Sequence, residues 1–223
     1  MHAKVNTDHN KDIAEVASTG GAAILETAIR LFARDGFAGV SMSEIARLAG
    51  VSKANIFHHF GSKQRLYLAV LKAVCARTVG ATLDGHANER SSLESLRSFL
   101  ATHLRLLLDD PGAAQLVLRE IAQGDDAQQR LLAEEVFSDH FTRLVAMVRD
   151  AQQQAILRRD CDPGLLAFLM VGANVFFFET RAVTPHIREA GFASDPARYS
   201  ERVFNLLMHG AARDPAQCND PVD

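Results

Sequence analysis

GVSKANIFHHFGSKQRLYL, from Gly50 to Leu68, decides how the chain is read. Two glycines, two serines at capping spacing, two histidines and three cations share a stretch that an ordinary core would fill with aliphatics. Upstream, Ser41-Met42-Ser43-Glu44 matches a capping box and predicts a helix from Met42. That helix carries Ile45, Leu48 and Ala49 inward and stops at Gly50. Ser52 then caps a third helix, Lys53 to about His59, and Gly61-Ser62 opens a fourth, Lys63 to about Leu83. Two short amphipathic helices joined through a glycine form the helix-turn-helix pattern. Gly50 takes the left-handed conformation there, and Val51 plugs the angle between the helices.

The charge distribution supports a polyanionic partner for this region. The 223-residue chain has a formal net charge of -3, which excludes a uniformly basic coat but not a basic face. Residues 1–74 hold nine Lys/Arg against six Asp/Glu, whereas the remainder is acidic. Between Ser41 and Val74 the one acid, Glu44, faces Arg47, Lys53, Lys63, Arg65 and Lys72.

Outward from this stretch the reading is all-α. No segment alternates over strand length, and no Asn-Gly or Asp-Gly hairpin signal occurs. A first helix spans about 19–35, with Ile24, Ala28, Leu31 and Phe32 on one face and Gly36 as its stop. Three Asp-Pro pairs, Asp110-Pro111, Asp162-Pro163 and Asp195-Pro196, mark later helix starts, because Asp caps free amides and Pro suits the first helical position. Ser91-Ser92-Leu93-Glu94 offers another cap. Helices are expected near 92–109, 111–123, 126–156, 163–184 and 196–212. The expected organisation is an arm at 1–18, a helix-turn-helix domain at 19–74, a larger helical domain at 75–212, and a frayed tail at 213–223.

The third helix suits the major groove, where N-terminal residues of such a helix reach base edges. Ala54, Ile56 and Phe60 are expected to pack, while Lys53, Asn55, Phe57 and His58 project outward. Lys53 can donate to guanine, Asn55 can pair bidentately with adenine, and Phe57 can press on a thymine methyl or a sugar. His58 and His59 can donate to phosphate. Lys63, beside Ser62 and free amides, makes a phosphate site. Ser41, Ser43 and Ser52 complete the DNA-contacting set.

At Leu31–Leu71, LFARDGFAGVSMSEIARLAGVSKANIFHHFGSKQRLYLAVL resembles the DNA-binding domain of the TetR family of bacterial transcriptional regulators. The resemblance begins near Ala23. It rests on the Phe-then-Gly end of the first helix, the Ile-Ala pair of the second, Gly-Val-Ser, the aromatic-x-His-Phe close of the third and Ser-Lys-x-x-Leu. It implies an all-helical homodimer whose C-terminal domain binds a small molecule, usually a repressor released by that ligand. It also implies DNA contact at Lys53, Ala54, Asn55, Phe57, His58, His59 and Lys63. One departure is Phe57, where the family often has a tyrosine that binds phosphate through its hydroxyl. An activator or a ligand-independent regulator would share this motif.

Residues 163–184 are apolar nearly all round, so that helix is expected to be buried on every side, one side against a second subunit, with 196–212 as its companion. Effector-lining candidates are Leu104, Leu107, Val117, Leu118, Ile121, Phe137, Phe141, Leu144, Met147, Phe168 and Phe178. His103, Arg119, Glu120, His140, Asn174 and Arg181 are the polar candidates. Such a lining suits an apolar or aromatic molecule, although an aromatic stripe is more often plain core. No nucleophile–base pair, metal-ligand cluster or Gly-rich phosphate loop is present, so neither enzyme activity, nor a metal, nor a cofactor is expected. Cys75, Cys161 and Cys218 lack metal-like spacing and suit a reducing compartment; Cys161 is a candidate thiol sensor beside Arg158 and Arg159. The polar N-terminus lacks an apolar signal core, and the apolar run Leu165–Phe178 is shorter than the ~20 residues of a membrane span. The expectation is cytoplasmic, with no membrane partner.

Overall fold

A computed structural model of the chain describes residues 19–80, 83 and 91–210. The expected arm at 1–18, the tail at 213–223 and Cys218 lie outside the described residues. The described residues are all-α, with no strand among them. Ten helices run α1 (Thr19–Gly39), α2 (Met42–Ala49), α3 (Lys53–Phe60), α4 (Lys63–Cys75), α5 (Ser92–Asp109), α6 (Pro111–Gln123), α7 (Asp126–Leu132), α8 (Ser138–Gln153), α9 (Pro163–Thr180) and α10 (Pro196–His209). Two π-helical turns, Ala76–Gly80 and Ala133–Phe137, extend α4 and join α7 to α8.

Local chemistry sets these boundaries. The side chains of Ser41, Ser52, Ser62, Asp110, Asp162 and Asp195 each accept from the backbone amide three residues on. Gly36 (φ 71°) bends α1, and Gly50 (φ 69°, ψ 28°) closes α2 in the left-handed region.

Four helices differ from the sequence expectation. The fourth leaves α geometry at Cys75, where Thr78 Oγ1 bonds the carbonyls of Val74 (3.1 Å) and Cys75 (3.3 Å). The expected 126–156 helix is split by the second π turn. It ends early, with Ala155 left-handed (φ 55°) and Ile156 N–H reaching Ala151 O at 2.9 Å. The ninth stops at Thr180, four residues short, and the chain passes through a turn into a 3-10 helix at Thr184–His186. The tenth stops at His209, before Gly210 at φ 75°.

The chain forms two compact units. The first joins α1–α4 with α6, α7 and residues through His140, and so is larger than the expected 19–74 segment. Its core is continuous: α6 adds Ala113, Leu116 and Val117 to the layer formed by Ile24, Phe32, Ile45, Ile56, Leu66 and Val70. Phe32 is fully buried between Phe37 (6.2 Å) and Tyr67 (5.0 Å). The second unit packs α5, α9 and α10 with α8 from Phe141 on; Phe99, Leu104, Leu144, Met170, Phe178 and Phe204 fill its interior.

Helix α9 is long and apolar enough to cross a membrane by length and composition alone. Its setting is that of a core helix on one side: Leu166, Met170, Asn174, Phe177 and Phe178 are buried. Its other side is open in the single chain, where Phe168 is 65% and Phe176 70% exposed with Leu165 and Leu169 beside them; one side was expected to meet a second subunit. Leu206 of α10 is exposed as well.

Candidate nucleic-acid interface

Helices α2 and α3 are held at a fixed angle. Val51 N–H bonds Ala46 O at 3.0 Å across the Gly50 turn, and Met42, Ile45 and Ala46 of α2 sink into the core. Leu48, expected inward, is 46% exposed, because the inner stripe follows 42, 45 and 46. Ile56 and Phe60 anchor α3 from behind at 0% and 6% exposure.

Along α3, Lys53, Ala54, Phe57 and His58 are exposed, together with the cap Ser52. Lys53 Nζ lies 5.9 Å from the Phe57 ring centroid, so charge and ring form one surface. Ala54, expected also to pack, is on this outer face. Asn55 and His59 are not. Both are half-buried; Asn55 Oδ1 and His59 Nδ1 are shielded from solvent with no hydrogen-bond partner among the described residues. A Cβ on Gly20 of α1 would sit 3.6 Å from His59 Nε2 and 3.8 Å from Asn55 Oδ1. In the free chain these two side chains therefore face Gly20 of α1 and not the outer surface that carries Lys53 and Phe57. The signal was present in the sequence: 55 and 59 share a helical face with the buried 56 and 60.

Cations frame the outer face. Lys63, first in α4, lies 4.4 Å from the Phe37 ring, which fixes its ammonium near the free amides behind Ser62. Ser41 and Ser43 are exposed at the start of α2. Arg47 and Arg65 are exposed with no ion-pair partner among the described residues; the sequence reading counted their charge without assigning them a contact. Lys72 leaves the basic set, since it pairs with Glu135 at 2.5 Å.

The effector candidates divide between the units. In the first, Val117 is core, Glu120 accepts from Tyr67 Oη at 2.8 Å, and Arg119 lies 3.5 Å from where a Gly36 Cβ would be. Phe137 packs on the same core, and His140 adjoins Gly80. Burial and the Glu120 carboxylate raise the Tyr67 pKa, so its phenol stays a donor. In the second unit, Leu107, Leu144 and Phe178 are core, while Phe141 and Phe168 are exposed. His103 and Asn174 do come together: Asn174 Nδ2 donates to Leu100 O (2.8 Å) and lies 3.2 Å from His103 Nδ1. Burial pushes the His103 pKa down to about 4, leaving a neutral ring stacked on Phe99. Asn174 Oδ1 is buried without a partner. Two surface clefts, of about 220 Å³ around Arg149 and Arg159 and about 310 Å³ around Pro185 and Arg188, include none of these candidates.

The family model for "Bacterial regulatory proteins, tetR family" matches residues 24–70. The HTH-type transcriptional regulator RutR of Escherichia coli is 34% identical over 102 residues, 46% of this chain and 48% of RutR, so the chain spans about half the length of that relative. The HTH-type transcriptional repressor SCO4008 of Streptomyces coelicolor is 30% identical over 155 residues, 69% of this chain and 76% of that protein. Among solved structures, the transcriptional regulator FadR of Bacillus subtilis, in complex with stearoyl-CoA, shares the fold with a TM-score of 0.72. It is 19% identical, over 86% of this chain and 99% of its own.

Proposed function

The chain belongs to the TetR family of bacterial regulatory proteins, and from that premise we propose that it is a dimeric, sequence-specific DNA-binding repressor released by a small apolar effector. The observation that carries this reading is α3 itself, with Ile56 and Phe60 sealed in the core and Lys53, Ala54 and Phe57 turned to solvent. Lys53 and Phe57 meet base edges. Ser41, Ser43, Ser52, His58 and Lys63, joined by Arg47, meet the sugar–phosphate backbone. The apolar faces of α9 and α10 pair two copies, which sets two recognition helices about one DNA turn apart.

Neutral His103 and the unpartnered Asn174 Oδ1 are the polar groups suited to orient an apolar molecule in the second unit. The stearoyl-CoA of FadR makes an acyl chain the first class to try. Such a ligand must favour one conformation of the dimer over the other, and the coupling is reciprocal.

The test is selection of bound duplexes from genomic fragments, followed by Lys63→Ala. Operator affinity should fall, and the slope of log K against log salt should shrink by about one. An unchanged slope removes Lys63 from the phosphate contacts; failure to retain any fragment at low salt removes the DNA-binding reading.

A further inference from the structure

The exposed face of α3 holds donors and apolar groups but no carboxylate and no outward carboxamide at its base-reading end. Lys53 only donates. Ala54 and Phe57 are apolar. Ser52 Oγ accepts from Asn55 N–H at 3.1 Å, which leaves its proton and a single lone pair rather than the paired edge of a carboxamide. The helix contains no Asp or Glu. Its one carboxamide is turned away, with Asn55 Oδ1 buried toward Gly20, so the paired oxygen-and-amide edge that adenine requires is not presented. His58 lies in the last turn, away from the N-terminal end that docks on base edges.

In the major groove, guanine shows two acceptors, and thymine shows an acceptor and a methyl group. Adenine and cytosine each show an amino donor that calls for a protein acceptor. We infer that α3 reads keto-bearing bases: guanine through Lys53, and thymine through the apolar patch of Ala54 and Phe57, with no carboxylate or carboxamide reading the amino groups of adenine or cytosine. This rests on the DNA-binding reading and narrows it. Phe57 is central, since its ring is 43% exposed and has no hydroxyl to spend on a phosphate. The Lys53 ammonium beside that ring places the guanine contact next to the thymine contact.

The experiment begins with duplexes retained by the full chain from a random-sequence pool. One retained duplex is remade with deoxyuridine for thymine, 7-deazaguanine for guanine, or purine for adenine, one position at a time in both half-sites. Binding is measured for the unchanged protein, Phe57→Ala and Asn55→Ala. Removing the contacted thymine methyl should weaken binding about four-fold per half-site, the factor that ~0.8 kcal/mol represents. That loss should nearly vanish in Phe57→Ala and persist in Asn55→Ala. Deleting adenine amino groups should leave affinity unchanged. The inference is overturned if uridine costs nothing at every position, if adenine amino deletion costs as much, or if Asn55→Ala abolishes sequence preference while Phe57→Ala retains it. Retention of no duplex at all is a different outcome: it rejects the DNA-binding reading and this inference with it.

Discussion

Helices α3 and α9 both leave aromatic rings in water, and they do so for opposite reasons. In α3 a single ring, Phe57, stands beside a cation on an eight-residue helix capped at its N-terminus by serine and backed by two core residues. In α9 two rings and two leucines line one side of an 18-residue helix, with no charged side chain before Glu179. The first arrangement suits a wet, anionic, patterned surface; the second suits a dry one. Exposed apolar area is thus informative only together with its neighbours.

The comparison breaks first at α9. Phe176→Asp places a charge where a second copy should bury a ring, at a cost on the order of 3–5 kcal/mol of association. Sedimentation should show a shift from dimer to monomer, and operator affinity should fall on the order of 100-fold. A variant that sediments like the parent removes α9 from the dimer contact.

Next comes the interior beneath α9. The folded-state pKa of His103, about 4, lies below the ordinary ~6.5. Between those values the unfolded chain binds more protons than the folded one. Stability is therefore full above pH 6.5 and declines as pH falls toward 4, by about 3 kcal/mol in all. Urea melts at pH 7 and 5 should show this decline, and His103→Leu should remove the part that belongs to the ring. An unaltered pH dependence in the variant assigns the decline to other groups.

The smallest expected effect sharpens α3. Ser52→Ala leaves the Asn55 amide uncapped and should cost about 1 kcal/mol of stability. Operator binding should weaken beyond that loss, because the donor at the groove-facing end disappears as well. Weakening no greater than the stability loss limits Ser52 to its capping role.

What was legible in the sequence was local. Serine and aspartate caps, proline at first helical positions and the left-handed Gly50 are fixed by residues within one turn, and all are found where expected. What was not legible depends on distant chain. The facing of Asn55 and His59 toward Gly20 joins positions more than thirty residues apart, although their spacing with Ile56 and Phe60 carried a hint. The place of α6 in the first unit follows from Leu116 and Val117 meeting residues more than forty positions earlier. The pairing of Asn174 with His103 spans 71 residues and has no local signature.

The most direct test of the account is hydroxyl-radical footprinting of the full chain on a retained duplex, with stoichiometry measured in parallel. Two copies per site, protecting two patches about 34 Å apart along the duplex, is the result expected of paired α3 helices. A single patch from one copy, or protection that does not depend on sequence, contradicts it.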